Sequence, residues 1–274
     1  TITWYSDVSP YTGQRYWSIS DLSNYHTQRE DTVKGIKYGA GNGNAALKNV
    51  SSIQDLGNHR VKITYSSKAS EVQNGMCFQS RPTVRDHAGT FFWKSKDITM
   101  TSLDIHFLHG FGMVGQHSEN ITMDDVDFEA PKESGRTTAG YADFVQMSGC
   151  KGTINISNCT FAGPHDDPIN IHGTFNTVTA ISSDRRTITV QYNHNETAGF
   201  PNFFEGDEIE FMTKGNMITV EDSVRTVTKV DGPDGMGGNM GDGSGSLTTI
   251  KLTLNEAVPS DVQVNQHVVE NISY

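Results

Sequence analysis

"NITMDDVDF", residues 120–128, is apolar at Ile121, Met123, Val126 and Phe128, and two polar residues, Asp124 and Asp125, interrupt the alternation. Alternating apolar and polar residues mark a strand with one buried face. Two polar residues in succession turn the chain and keep the same face inward, which makes a corner between two short strands. The same phase recurs without gaps in "DITMTSLDI" (97–105) and "TINISNCTF" (153–161). The spacing is 23 residues from Ile98 to Ile121 and 33 from Ile121 to Ile154. The second interval is the first plus a loop of ten, within the charged, Gly- and Thr-rich stretch 131–141 (PKESGRTTAGY). A further strand falls between the repeats: Phe111–Val114, then Asp143–Val145, then Asp167–Ile169. Self-similarity at this period means stacked units. Short strands with polar corners and no intervening helix predict a parallel β-helix, with an antiparallel sandwich as the competing reading.

Composition agrees with an all-β chain. The 274 residues include 27 Gly and only 8 Pro, and no long run of helix formers at a 3.6 period. Asp and Glu number 32 against 21 Lys and Arg, a formal net charge of −11. Such a surface repels phosphate backbones and excludes nucleic acid as a partner. No apolar run approaches the roughly 20 residues of a membrane span. Cys77, Cys150 and Cys159 are too few for a disulfide scaffold or a spaced zinc site.

The flanks read differently. Residues 1–75 hold strand-like pieces and a Gly/Asn-rich turn at 38–44, and are assigned with 76–175 to the coils. Over 176–265 come longer alternating strands: Thr177–Ile181, Thr187–Tyr192, Asp207–Phe211, Val224–Val230 and Thr248–Leu254. Alternation over five to seven residues with tight turns predicts a small antiparallel β-barrel, inserted after the coil that carries Asp166. Gly232–Ser246 is a flexible loop whose aspartates match no calcium-loop spacing. In 266–274, Glu270-Asn-Ile-Ser273 echoes Glu119-Asn-Ile-Thr122 and predicts the start of a returning coil. An unfinished coil exposes a strand edge, so further coils or a second chain are expected to complete the stack.

The chemistry concentrates in "GPHDDPINIHG", residues 163–173. Asp166 and Asp167 are adjacent, flanked by His165 and His172, and followed by Pro168 and Asn170. On the repeat alignment Asp143 holds the position of Asp167 one coil earlier, about 4.8 Å away. Carboxylates this close cannot all ionise cheaply, which is how a general acid is kept at neutral pH. Neighbours on a regular strand face opposite ways, and Pro168 supplies a break that lets both aspartates face one cleft. A solvated turn is the plain alternative, and His165-Asp166-Asp167 with His172 also passes for a metal set. Arg85 and Trp93, in "RPTVRDHAGTFFW" (81–93), suit a sugar ring, unless Phe91, Phe92 and Trp93 simply pack inward.

The segments "GMVGQHSENITMDDVDF" (112–128), "ADFVQMSGCKGTINI" (142–156) and "NCTFAGPHDDPINIHGT" (158–174) resemble glycoside hydrolase family 110, the exo-acting α-1,3-galactosidases that include blood-group B-cleaving enzymes. The resemblance is strongest over residues 76–175. It implies a right-handed parallel β-helix with an inserted barrel, hydrolysis with inversion, no metal or other cofactor, and a secreted or periplasmic location. By position it implies catalytic roles for Asp166, Asp167 and Asp143. The residues themselves, His165, His172, Asn170, Arg85 and Trp93, are expected to hold a galactose-containing glycan, the two histidines by donating to sugar hydroxyls or orienting a carboxylate. A polygalacturonase-like hydrolase and a non-catalytic glycan-binding β-helix, such as a phage or surface adhesin, are the alternatives. An acidic chain weighs against a uronate substrate.

Overall fold

A computed structural model describes residues 88–134, 138–140, 142–194, 197–233 and 248–274, with the segments 2–3, 26–31, 36–38, 50–57, 60–67 and 76–81. Arg85, most of the 232–246 loop and most of the 38–44 turn lie outside the described residues. The described elements are all β except for one 3-10 turn, Lys132–Ser134. Among the described residues no helix is long and apolar enough to cross a membrane.

Strands β1 (Ile2–Thr3), β2 (His26–Asp31), β3 (Ile36–Tyr38), β4 (Val50–Gly57), β5 (Arg60–Tyr65) and β6 (Met76–Arg81) make two antiparallel sheets, β1-β5-β4 and β3-β2-β6. This corrects the assignment of residues 1–75 to parallel coils. Only two residues separate β4 from β5. A connection that short closes an antiparallel hairpin, whereas parallel strands need a crossover.

From β7 onward the chain alternates between two parallel sheets. One contains β7 (Thr90–Trp93), β9 (Met113–Gln116), β11 (Val145–Ser148) and β14 (Ile169–His172), in the order β14-β11-β9-β7. The other contains β8 (Lys96–Ile105), β10 (Glu119–Phe128), β12 (Lys151–Ser157) and β13 (Thr160–Phe161). The registers are those of the repeat: Ile98 pairs with Ile121 and Ile121 with Ile154, while Met113 pairs with Val145 and Val145 with Ile169. Between the sheets lie buried Met113, Ile121, Met123, Val126, Phe128, Phe144, Val145 and Met147. Phe128 stacks on Phe144 and Phe161 with centroids 5.3 and 5.1 Å apart.

The two-residue corners are real but do not break β8 and β10. Their second residues, Ser102, Asp125 and Asn158, have φ of 52°, 58° and 54°. Asn and Asp tolerate this left-handed region best among non-glycine residues. Asp124 then binds the next coil, accepting hydrogen bonds from Ser157 Oγ and Asn158 Nδ2, each at 2.8 Å. Pairing on both sides of the bend keeps the ladder continuous.

Six antiparallel strands close a barrel: β15 (Asn176–Ile181), β16 (Thr187–Tyr192), β17 (Glu208–Thr213), β18 (Arg225–Asp231), β19 (Thr249–Leu254) and β20 (His267–Asn271). The strand periods of the sequence are recovered within a few residues. The expected returning coil is not: β20 pairs with both β15 and β17 and closes the barrel. Its core includes Val178, Val190, Tyr192, Phe211, Leu252 and Val269.

Barrel and parallel sheets meet on an aromatic cluster. Buried His117 packs edge-on against Trp93, Phe204 and Tyr274, with centroids 5.2, 5.3 and 5.0 Å away. The ammonium groups of Lys94 and Lys151 lie over the Phe204 and Tyr274 rings at 3.1 and 4.6 Å. Burial is the main cause that pushes the His117 imidazole from 6.5 down to about 4; the nearby Lys94 acts in the same direction, against a hydrogen bond to the Asn202 backbone. Below its ordinary pKa the unfolded chain therefore takes up a proton that the folded chain refuses. The resulting stability is fully present above pH 6.5 and declines as the pH falls towards about 4. The loss attributable to this group is on the order of 3 kcal/mol. Thermal unfolding from pH 7 to 4 should show wild type losing stability more steeply than His117→Phe, and parallel curves would refute the assignment.

Candidate active site

The outward face of sheet β14-β11-β9-β7 forms the floor of a 570 Å³ cavity whose far wall comes from the barrel side. The ladder fixes the floor in rows. Phe91, Val114, Gln146 and Asn170 share one register position, and Trp93, Gln116, Ser148 and His172 another. All of these except Trp93 line the cavity. A third row precedes them at the strand ends, where Phe111, Asp143 and Asp167 line the same cavity with Asp166.

The backbone explains how adjacent aspartates reach one space. Phe144 N donates to Asp167 O at 3.0 Å and Val145 N to Pro168 O at 3.2 Å, so Asp143 stands one strand from Asp167. Residues 165 and 166 form a bend before the regular strand begins. Pro168 immediately precedes β14, the outermost described strand of its sheet, where a missing N–H costs little. Asp143 is buried, 2% exposed, while Asp166 and Asp167 are exposed within the cavity.

His172 is held in one tautomer. Nδ1 lies 2.7 Å from the Gly173 carbonyl, which can only accept, so Nδ1 carries the proton. Nε2 then accepts from Gln146 Nε2 at 2.6 Å. Both ring nitrogens are thus occupied within the chain. The side-chain oxygens of Gln116 and Gln146 are buried and accept no hydrogen bond among the described residues. Ser148 Oγ lies 3.1 Å from Thr174 Oγ1. The barrel side adds Phe175, Asn193, His194, Thr197 and Phe200.

The structure therefore brings Asp143, Asp166, Asp167, Asn170 and His172 together. His165 is buried, 3% exposed, and is not part of the wall. Trp93 is on the same face but beside the cavity, covered by His117 and Phe204. Arg85 is outside the described residues. Gln116, Gln146, Ser148 and Phe91 were missed by sequence reasoning, although extending the 24-residue offset from Asp143–Asp167 to Gln146–Asn170 and Ser148–His172 finds the two β11 positions. No group of three or more His, Cys, Asp or Glu among the described residues is arranged to hold a metal.

The chain is 44% identical over 272 residues to "Alpha-1,3-galactosidase A" of Streptomyces avermitilis, an alignment covering 99% of this chain and 42% of that protein. The chain is related to the alpha-1,3-galactosidases. The protein of the same name from Peterkaempfera griseoplana is 38% identical over 277 residues, covering 100% of this chain and 37% of that one. That of Bacteroides thetaiotaomicron is 37% identical over 218 residues, covering 78% and 36%. The chain thus spans about two fifths of the length of these curated relatives. No family model matches it. The relationship to the galactosidases agrees with the family 110 resemblance of the sequence, and it extends beyond residues 76–175 to nearly the whole chain.

Proposed function

We propose that this chain carries the catalytic centre of an exo-acting α-1,3-galactosidase that hydrolyses terminal α-1,3-linked galactose with inversion. One observation carries the reading: three carboxyl groups, Asp143, Asp166 and Asp167, converge on one cavity whose described lining contains no lysine or arginine. The remaining lining is amide, hydroxyl, imidazole, aromatic and small aliphatic, with no cation, which suits an uncharged polyol and disfavours a uronate. Buried acceptors such as Gln116 Oε1 and Gln146 Oε1 are suited to sugar hydroxyl donors. The parallel sheets, in register from coil to coil, support a parallel β-helix, and the right hand is the one that parallel crossovers almost always take.

In this mechanism one carboxyl group gives its proton to the glycosidic oxygen as the C–O bond breaks. A second carboxylate takes a proton from water, whose oxygen attacks the anomeric carbon from the opposite face. The product is β-galactose and a free hydroxyl on the leaving sugar. Anomer-resolved NMR of an α-1,3-galactosyl disaccharide digest tests this. β-Galactose should form first and mutarotate later. Early α-galactose would exclude inversion, and no release of galactose together with tight glycan binding would favour a binding protein.

A further inference from the structure

The cavity floor is divided across the sheet. Strands β14 and β11 and the residues just before them present only polar side chains to it: Asp167, Asn170, His172, Asp143, Gln146 and Ser148. Strands β9 and β7 and the residues just before them present Phe111, Val114, Phe91 and Ala88, with Gln116 the polar exception. Phe91 is 51% exposed, although its chain neighbour Phe92 packs into the core. A single exposed phenyl ring is ordinary, but Phe91 shares the cavity wall with Phe111, Val114 and Ala88, and an apolar patch of that kind inside a cleft marks a ligand surface. Its orientation is fixed from the side. Trp93, two residues on and on the same face, stacks on it at 6.2 Å with planes 26° apart. Trp93 is itself wedged against His117 and Phe204.

Building on the galactosidase reading, we infer that Phe91 is the platform for the sugar on the leaving-group side of the scissile bond. The carboxyl groups stand on the polar half and require the galactose there. Phe91 lies two strands beyond β11, roughly 10 Å across the sheet. A pyranose presents an apolar C–H face, and a rigid exposed ring is the surface it stacks on. The apolar half therefore selects a second ring, and the polar half selects galactose.

The test uses the chain carrying Asp167→Asn, so that substrate persists, and titrates free galactose and an α-1,3-galactosyl-galactose disaccharide by calorimetry. Adding Phe91→Ala should weaken disaccharide binding roughly tenfold and leave galactose affinity within about twofold, whereas Phe91→Tyr should retain both. Equal weakening of both ligands, or of neither, overturns the inference while the galactosidase reading stands. If the parent binds neither sugar, the galactosidase reading fails and the inference with it. Thermal unfolding of Phe91→Ala should stay within a few degrees of the parent, since half of the ring is exposed and chiefly its stacking on Trp93 is lost.

Discussion

Asp143→Asn, Asp166→Asn and Asp167→Asn should separate the three carboxyl groups by role. The variants that remove the general acid or general base are expected to lose about 10²–10⁴-fold in kcat on an α-1,3-galactosyl disaccharide, the range such groups carry. Asparagine keeps the size and loses both the proton and the negative charge, so galactose affinity should change far less than turnover. A second substrate tells acid from base. With an aryl leaving group, the departing oxygen needs no proton, so the variant lacking the acid should recover most of its rate. The variant lacking the base should recover nothing, because water still needs deprotonation. The environments already differ: Asp143 is buried and the pair is exposed in the cavity. If all three variants turn over both substrates at the wild-type rate, the catalytic assignment is wrong.

The parts of this arrangement that repeat were legible in the sequence, and the parts that depend on docking were not. Ile98, Ile121 and Ile154 could be stacked from spacing alone, because parallel strands in register must repeat their phase. The same offset put Asp143 beside Asp167. The alternation also places Phe91 and Trp93 on one face. Which of them meets the cavity depends on Phe204, a barrel residue that covers Trp93. No local pattern announces that partner. Asn193, His194 and Phe200 enter the site for the same reason. The segment after Gln266 misled because Glu-Asn-Ile is an alternating strand in either setting. Whether it continues a coil or closes a barrel is decided by β15 and β17 on its two sides.

Gly112→Ala should be the most damaging substitution outside the carboxyl groups. Gly112 has φ +78°, and a Cβ there would lie 2.1 Å from the Asp143 carbonyl oxygen and 3.0 Å from Asp143 C and Phe144 O. All three atoms are backbone, so no rotamer change relieves the overlap. The left-handed conformation alone costs an alanine roughly 1–2 kcal/mol. Forcing two ladder strands apart raises the total beyond about 3 kcal/mol. Met113 N donates to Phe144 O at 2.9 Å, immediately beside the clash, so the displaced segment is the one that carries Asp143. A shift of about 1 Å in a catalytic group can cost on the order of a hundredfold in rate. Gly149→Ala separates strain from overlap. Gly149 also has positive φ, +56°, but its nearest neighbour would be the His117 ring at 3.7 Å, an ordinary contact. Thermal melts and kcat/KM should therefore show Gly149→Ala folded, mildly destabilised and active. Gly112→Ala should be several kcal/mol less stable and, where it still folds, severely slowed. Equal effects of the two substitutions would mean that backbone strain, and not the approach of coil to coil at Asp143, sets the requirement for glycine.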